Sequence, residues 1–111
     1  MNRVAVDSKY HGMFDNLEDV ISNFSLSPSD LEEEDVIYAT YDAEGYDGSA
    51  HVIFSQGNVL YEVNDSHCSC NGLENWSPEE TTISALLARP NVADKAKANL
   101  KIYYKNTLPF L

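Results

Sequence analysis

Between Val36 and Val63 the apolar residues alternate with a period of two, and this pattern restricts the fold more than any other feature. Three runs, 36–41, 50–54 and 59–63, are rich in β-branched and aromatic residues, as is typical of strands. Gly57 and Asn58 favour the left-handed conformations of a tight hairpin between the second and third runs, whereas 42–48 predicts a longer loop between the first and second. The pattern therefore predicts a three-stranded antiparallel meander.

Helical patterns lie on both sides of these strands. Asn16 is a predicted N-cap, and the apolar spacing over 17–24 places one hydrophobic stripe on the helix that follows. The segment Ser77-Pro78-Glu79-Glu80 is typical of a helix start, with Ser77 as the cap and Pro78 in the first turn, and Pro90 ends that helix. We expect helices 17–24 and 78–88 to cover one face of the meander. That face carries Val52, Phe54, Tyr61 and Val63, and Glu62 is predicted to be exposed on the other face.

A last helix is predicted from Asn91 towards the C-terminus. Its inward positions are Val92, Ala96, Leu100 and Tyr103, and its outward positions are Lys95, Lys97, Lys101 and Lys105. The apolar tail 107–111 should dock on the core or mark a contact surface. The predicted fold is therefore α+β, a single domain over 1–111 in which the meander packs against N- and C-terminal helices.

Length and composition exclude several classes of protein. The 111 residues are 43% hydrophobic, so the chain buries a modest core and is not a disordered acidic tail. No apolar run approaches the roughly 20 residues that cross a bilayer, and the N-terminus has no signal-peptide core. Cys68 and Cys70 are too close in sequence for a disulfide that would join distant segments. These features predict a cytoplasmic protein with no membrane partner.

The charge is concentrated in one part of the chain. The net charge is -11, and sixteen Asp and Glu residues lie between Tyr10 and Leu87 without a single Lys or Arg. Such a surface repels nucleic acid and anionic lipid and attracts a basic groove. The predicted partner-binding residues are Asp30, Glu32, Glu33, Glu34, Asp35, Asp42, Glu44 and Asp47. Their carboxylates could approximate part of the phosphate row of duplex DNA, which carries one charge per ~1.7 Å.

A metal or thiol site is the main alternative to a binding surface. His67, Cys68 and Cys70 could supply three zinc ligands, with Asp65, Glu74 or His51 as a fourth. Their spacing argues against zinc, because structural sites usually draw ligand pairs from separate elements. A nucleophilic cysteine needs a positive field, and this segment is acidic. The chain also lacks a phosphate-binding loop and hydrolase motifs, so we expect no cofactor and no enzyme activity.

Residues 35–88 carry a distinctive string of motifs, of which His67-Cys68-Ser69-Cys70 and Pro78-Glu79-Glu80-Thr81-Thr82 are the clearest. This stretch resembles a family of small acidic phage and prophage proteins without an assigned activity. The resemblance implies a bacteriophage origin and action in the host bacterial cell, but it brings no catalytic residues with it.

Phage origin and negative charge together suggest an inhibitor of host defence. CRISPR effectors and restriction enzymes hold DNA in Lys- and Arg-lined grooves, where an acidic domain could compete as a DNA mimic. One alternative is that the acidity only confers solubility. Another is a regulatory or structural module that binds itself or one protein partner through an aromatic face. That face would consist of Tyr38, Tyr41, Tyr46, Trp76, Tyr104 and Phe110. The effect of salt distinguishes the two binding hypotheses. Charge-based binding weakens as ionic strength rises, whereas binding through an aromatic interface should change little.

Overall fold

A five-stranded mixed sheet forms the centre of the part of the chain that the structure describes. The computed structural model describes residues 9–44, 47–67, 73 and 75–107. The strands are β1 (Tyr10–Gly12), β2 (Val36–Glu44), β3 (Asp47–Gln56), β4 (Val59–His67) and β5 (Glu79–Thr81), in that spatial order. Strand β1 is parallel to β2, and the other neighbouring strands are antiparallel. The α+β class is confirmed, and the predicted meander is the centre of a wider sheet.

The two hairpins of the meander differ in how well the sequence predicts them. Gly57 and Asn58 have φ values of 59° and 67°, which confirms the tight turn between β3 and β4. The predicted loop at 42–48 is wrong, because Asp42 pairs with Ser49 and Glu44 with Asp47. Strand β2 continues to Glu44 and β3 begins at Asp47, and residues 45 and 46 lie outside the described residues.

Helices cover the sheet on both faces. Helix α1 (Leu17–Asn23) packs on one face, the α1 face, where Val20 and Phe24 belong to the same core cluster as Phe54. Helices α2 (Ile83–Ala88) and α3 (Asp94–Thr107) cover the opposite α3 face, where Leu86 and Leu100 belong to a second core cluster. Strand residues that alternate along β3 and β4 therefore enter two different cores. No helix in the described part of the chain is long and apolar enough to cross a membrane.

The predicted helix over 78–88 is wrong in both its start and its position. Residues 79–81 form β5 on the open edge of β4, where Leu60 pairs with Thr81. The helix begins only at Ile83, and the N-cap is Thr82, whose side chain accepts from Ala85 N at 3.1 Å. Pairing at the sheet edge satisfies backbone groups that β4 would otherwise expose, and it carries the chain to the α3 face. Helix α2 therefore does not share a face with α1.

The first and last helices agree better with the sequence. Asn16 caps α1 by accepting from Asp19 N at 3.0 Å. Helix α3 begins at Asp94, three residues later than predicted, so Val92 precedes the helix. Val92 is buried all the same, and the inward positions within α3 are buried as expected: Ala96, Leu100 and Tyr103. Residues 108–111 of the apolar tail lie outside the described residues.

Candidate functional site

The acidic surface predicted around Asp30–Asp35 lies beside α1. The exposed carboxylates of Asp15, Glu18, Asp30, Glu32 and Glu34 belong to the segment that covers the α1 face and leads into β2. The sequence has no Lys or Arg between Tyr10 and Leu87. This segment therefore exposes carboxylates without supplying a cation of its own.

Some of these carboxylates have structural tasks. Asp30 accepts from Ser27 N at 2.8 Å, and Asp35 accepts from Glu32 N at 3.2 Å. Glu33 binds Lys9 at 3.3 Å through an ion pair and accepts from the Tyr10 hydroxyl at 3.0 Å.

Burial, together with the hydrogen bond to Glu33 and the charge of that residue, raises the pKa of Tyr10 well above its usual range. Asp30, Glu33 and Asp35 thus hold the backbone and the β1 edge in place. Glu32 and Glu34 remain exposed to solvent.

The two predicted groups of acidic residues are far apart. The first group precedes Val36, at the start of β2, whereas Asp42 and Glu44 lie near its end and Asp47 begins β3. A strand rises about 3.3 Å per residue, so Val36 and Asp42 are separated by about 20 Å. The structure does not join Asp30–Asp35 and Asp42–Asp47 into one continuous row of charge.

His67 has a structural partner on the α1 face. Its Nε2 lies 2.7 Å from the Tyr41 hydroxyl, and the two rings meet edge to face. Gly48 lies opposite His67, and any Cβ there would collide with the imidazole. This close approach gives Gly48 a packing role that its predicted place in a loop did not suggest. Cys68 and Cys70 lie outside the described residues, within which no group of three or more potential metal ligands occurs.

A polar cleft of about 610 Å³ opens on the α3 face, beyond the area that the helices cover. Its floor consists of alternate residues of β2, β3 and β4, including Thr40, Asp42, Ser49 and Asn64. The connection between α2 and α3, which contains Arg89, forms a wall. The cleft thus lies between a sheet face and a helix connection.

At the edge of this cleft, three donors converge on one carboxylate. Glu62 is only 6% exposed, and its Oε1 lies 2.6 Å from Arg89 Nη2, 3.0 Å from His51 Nε2 and 3.2 Å from Asn64 Nδ2. Burial raises the pKa of Glu62, but the hydrogen bonds from Arg89, His51 and Asn64 and the charge of Arg89 outweigh it. The net pKa is therefore below its usual value, and Glu62 is ionised at neutral pH.

The prediction that Glu62 is exposed is wrong. Helices cover both faces of the meander, so Glu62 is also buried, although its side chain lies on the face away from Tyr61 and Val63. The sequence contained one signal for its partner, because Arg89 is the first cation after the long acidic stretch. Nothing in the local pattern links Arg89 to Glu62, which precedes it by 27 residues.

The aromatic residues do not gather on one surface. Tyr38 and Tyr41 are buried in different core clusters on opposite faces of the sheet. Trp76 packs against Phe24 and Phe54, with ring centroids 5.0 and 5.5 Å away. Tyr104 is 46% exposed, and Tyr46 and Phe110 lie outside the described residues.

Comparison with known proteins identifies no relative. No family model matches the chain, and neither a curated protein nor a solved structure matches it.

Proposed function

We propose that this protein is a binding protein whose acidic α1 side occupies a basic, nucleic-acid-binding groove of a partner. The observation that carries the proposal is the distribution of charge between the two sides of the sheet. Segment 15–35 contributes eight Asp and Glu residues and no Lys or Arg, whereas Lys95, Lys97 and Lys101 belong to α3 on the opposite face. A partner that carries a Lys- and Arg-lined groove is attracted to the first side and not to the second.

The resemblance to phage proteins supports a host defence protein as the target, such as a CRISPR effector or a restriction enzyme. Such enzymes bind DNA largely through phosphate contacts, and an acidic protein competes for the same cations. The outward carboxylates of Glu18, Glu32 and Glu34 are the residues that we assign to this contact, together with Asp15 and Asp30. Because Asp42 and Glu44 lie near the far end of β2 and Asp47 begins β3, these three residues belong to a separate contact or to none.

A matched pair of triple variants tests this proposal. One variant replaces Glu18, Glu32 and Glu34 by Gln, which leaves the internal bonds of Asp30, Glu33 and Asp35 intact. The control replaces Asp47 by Asn and Glu79 and Glu80 by Gln, which removes the same number of exposed charges elsewhere.

Each protein is immobilised, exposed to a bacterial lysate and eluted with either salt or duplex DNA. We expect the parent and the control to retain a nucleic-acid-binding protein that DNA displaces. The α1-side variant should lose affinity by about threefold to 150-fold, since each of its three exposed charge contacts contributes about 0.2 to 1 kcal/mol. Equal retention by both variants would contradict the proposal, as would binding that is insensitive to salt.

A further inference from the structure

The cleft on the α3 face contains an ordered array of polar side chains that the acidic surface does not use. Two rows cross the three central strands, because the residues in each row are direct pairing partners. The first row is Thr40, His51 and Asn64, and the second is Asp42, Ser49 and Ser66. Neighbours within a row are about 5 Å apart, and the rows are about 7 Å apart. The array therefore measures about 10 by 7 Å, which is enough to contact a sugar ring together with its hydroxyl groups.

Buried contacts hold the edge of this array in place. The Glu62 carboxylate accepts hydrogen bonds from His51 Nε2 at 3.0 Å and from Arg89 Nη2 at 2.6 Å. Neither side chain therefore needs a ligand to position it. The cleft volume of about 610 Å³ falls within the roughly 300 to 1,000 Å³ of small-molecule sites. Such preorganisation reduces the entropy lost when a ligand binds.

The cleft presents both hydrogen-bond donors and acceptors. Arg89 uses Nη2 for Glu62, and 39% of its side-chain surface remains exposed at the cleft wall. His51 also lines the cleft, and its Nε2 lies 3.0 Å from the Glu62 carboxylate. Asp42 adds exposed carboxylate oxygens, and the hydroxyls of Ser49 and Ser66 donate and accept.

This mixture distinguishes between classes of ligand. An anion would leave the Asp42 carboxylate without a donor and would approach a strongly acidic protein. An ammonium group would offer nothing to the free donors of Arg89, whose charge also repels it. An apolar ligand would desolvate the polar rows without replacing their hydrogen bonds. Neutral hydroxyl groups donate and accept at each position.

We propose that this cleft binds a neutral polyhydroxylated ligand, namely a sugar ring that is either free or the ribose of a nucleoside. The first contacts are Asp42, Ser49 and Asn64, with Arg89 at the wall. The cleft is open, so a single ring should bind with a Kd of about 1 mM.

Nuclear magnetic resonance of the ¹⁵N-labelled full chain tests the proposal, with glucose, ribose and adenosine as neutral probes. L-arginine and inorganic phosphate serve as the cationic and anionic probes. We expect saturable shifts of amide signals from β2, β3 and β4 around the cleft with a neutral probe and none with arginine or phosphate. Stronger binding of adenosine than of ribose or glucose would identify a nucleoside, and stronger binding of glucose a free sugar.

A double variant with a matched control completes the test. Asp42→Ala with Ser49→Ala should weaken binding about tenfold or more, because it removes a charged and a neutral hydrogen-bonding group. Asp47→Ala in the same hairpin, which does not line the cleft, should bind like the parent. Unchanged amide signals from α1 show that each variant is folded. Absence of cleft shifts with all three neutral probes overturns the proposal, as does saturation by phosphate or arginine, or unchanged affinity in the double variant.

Discussion

Glu62 is a buried, charged side chain at the edge of the cleft on the α3 face. Its ionised form accepts hydrogen bonds from three donors, which lower its folded-state pKa although burial alone would raise it. In the unfolded chain the carboxyl has its ordinary pKa of 4.5. Because the folded pKa is lower than this, Glu62 stabilises the fold above pH 4.5, and the stabilisation is lost as the pH falls through the folded pKa.

We expect Glu62→Gln to lower the free energy of unfolding by about 2 to 3 kcal/mol at pH 7. The substitution removes hydrogen bonds to a charged acceptor and leaves the Arg89 guanidinium without its carboxylate. Urea unfolding at a series of pH values measures the effect. The difference between parent and variant should be constant above about pH 5 and should shrink below pH 4.5.

Glu80→Gln is the control for that experiment. Glu80 is exposed on β5, so its replacement should change the unfolding free energy by less than about 0.5 kcal/mol. A loss in Glu62→Gln that is as large at pH 3 as at pH 7 would contradict the role of the ionised carboxylate.

Phe54 is the aromatic residue on which the α1 face depends. It is 2% exposed and stacks on Tyr61 and Trp76, with ring centroids 5.4 and 5.5 Å away. We expect Phe54→Ala to lower the unfolding free energy by about 3 to 5 kcal/mol in urea titrations. Met13→Ala is the control, since Met13 is 59% exposed and should matter little. A parent-like midpoint for Phe54→Ala would show that this packing does not stabilise the fold.

The start of α2 shows that sheet pairing can override a local sequence pattern that favours a helix. Ser77-Pro78-Glu79-Glu80 has the composition of a helix start, yet Glu79 and Glu80 pair with Glu62 and Tyr61 in β4. The cap instead belongs to Thr82. The backbone hydrogen bonds that the edge of β4 gains from β5 stabilise the fold by more than an N-cap at Ser77 would, since such a cap contributes about 1 kcal/mol.

Two alanine substitutions separate these alternatives. Thr82→Ala should cost about 1 kcal/mol of unfolding free energy because it removes the hydrogen bond to Ala85 N. Ser77→Ala should cost clearly less, since the Ser77 hydroxyl donates to Asn75 and caps no helix. Thermal unfolding monitored by circular dichroism measures both. A larger loss for Ser77→Ala would contradict the observed start of α2.

For the whole molecule, the net charge of -11 opposes compactness through repulsion among carboxylates. We expect added NaCl to stabilise the folded protein, by about 1 kcal/mol between low salt and 0.5 M, because it screens that repulsion. Urea unfolding at each salt concentration measures the effect. The same salt should weaken binding to a basic partner, so stability and affinity should change in opposite directions. A decrease in stability with salt would show that internal ion pairs such as Glu62–Arg89 outweigh the repulsion.

The sequence by itself determined the features that depend on neighbouring residues. Period-two alternation and the Gly57-Asn58 turn specify β3 and β4, and Asn16 specifies the start of α1, since a turn or a cap is a contact within a few residues. The inward face of α3 follows from helical spacing in the same way. The concentration of acidic charge is likewise a property of the sequence alone.

Tertiary structure alone decided which distant segments meet. The parallel pairing of β1 with β2, the choice of β5 over a helix, and the covering of the α3 face all depend on contacts between residues far apart in sequence. The same contacts buried Glu62 against Arg89 and separated Asp30–Asp35 from Asp42–Asp47. The physical reason is that a sheet edge or an apolar face is stabilised by the segment that pairs with it or covers it. No local sequence pattern specifies which segment that is.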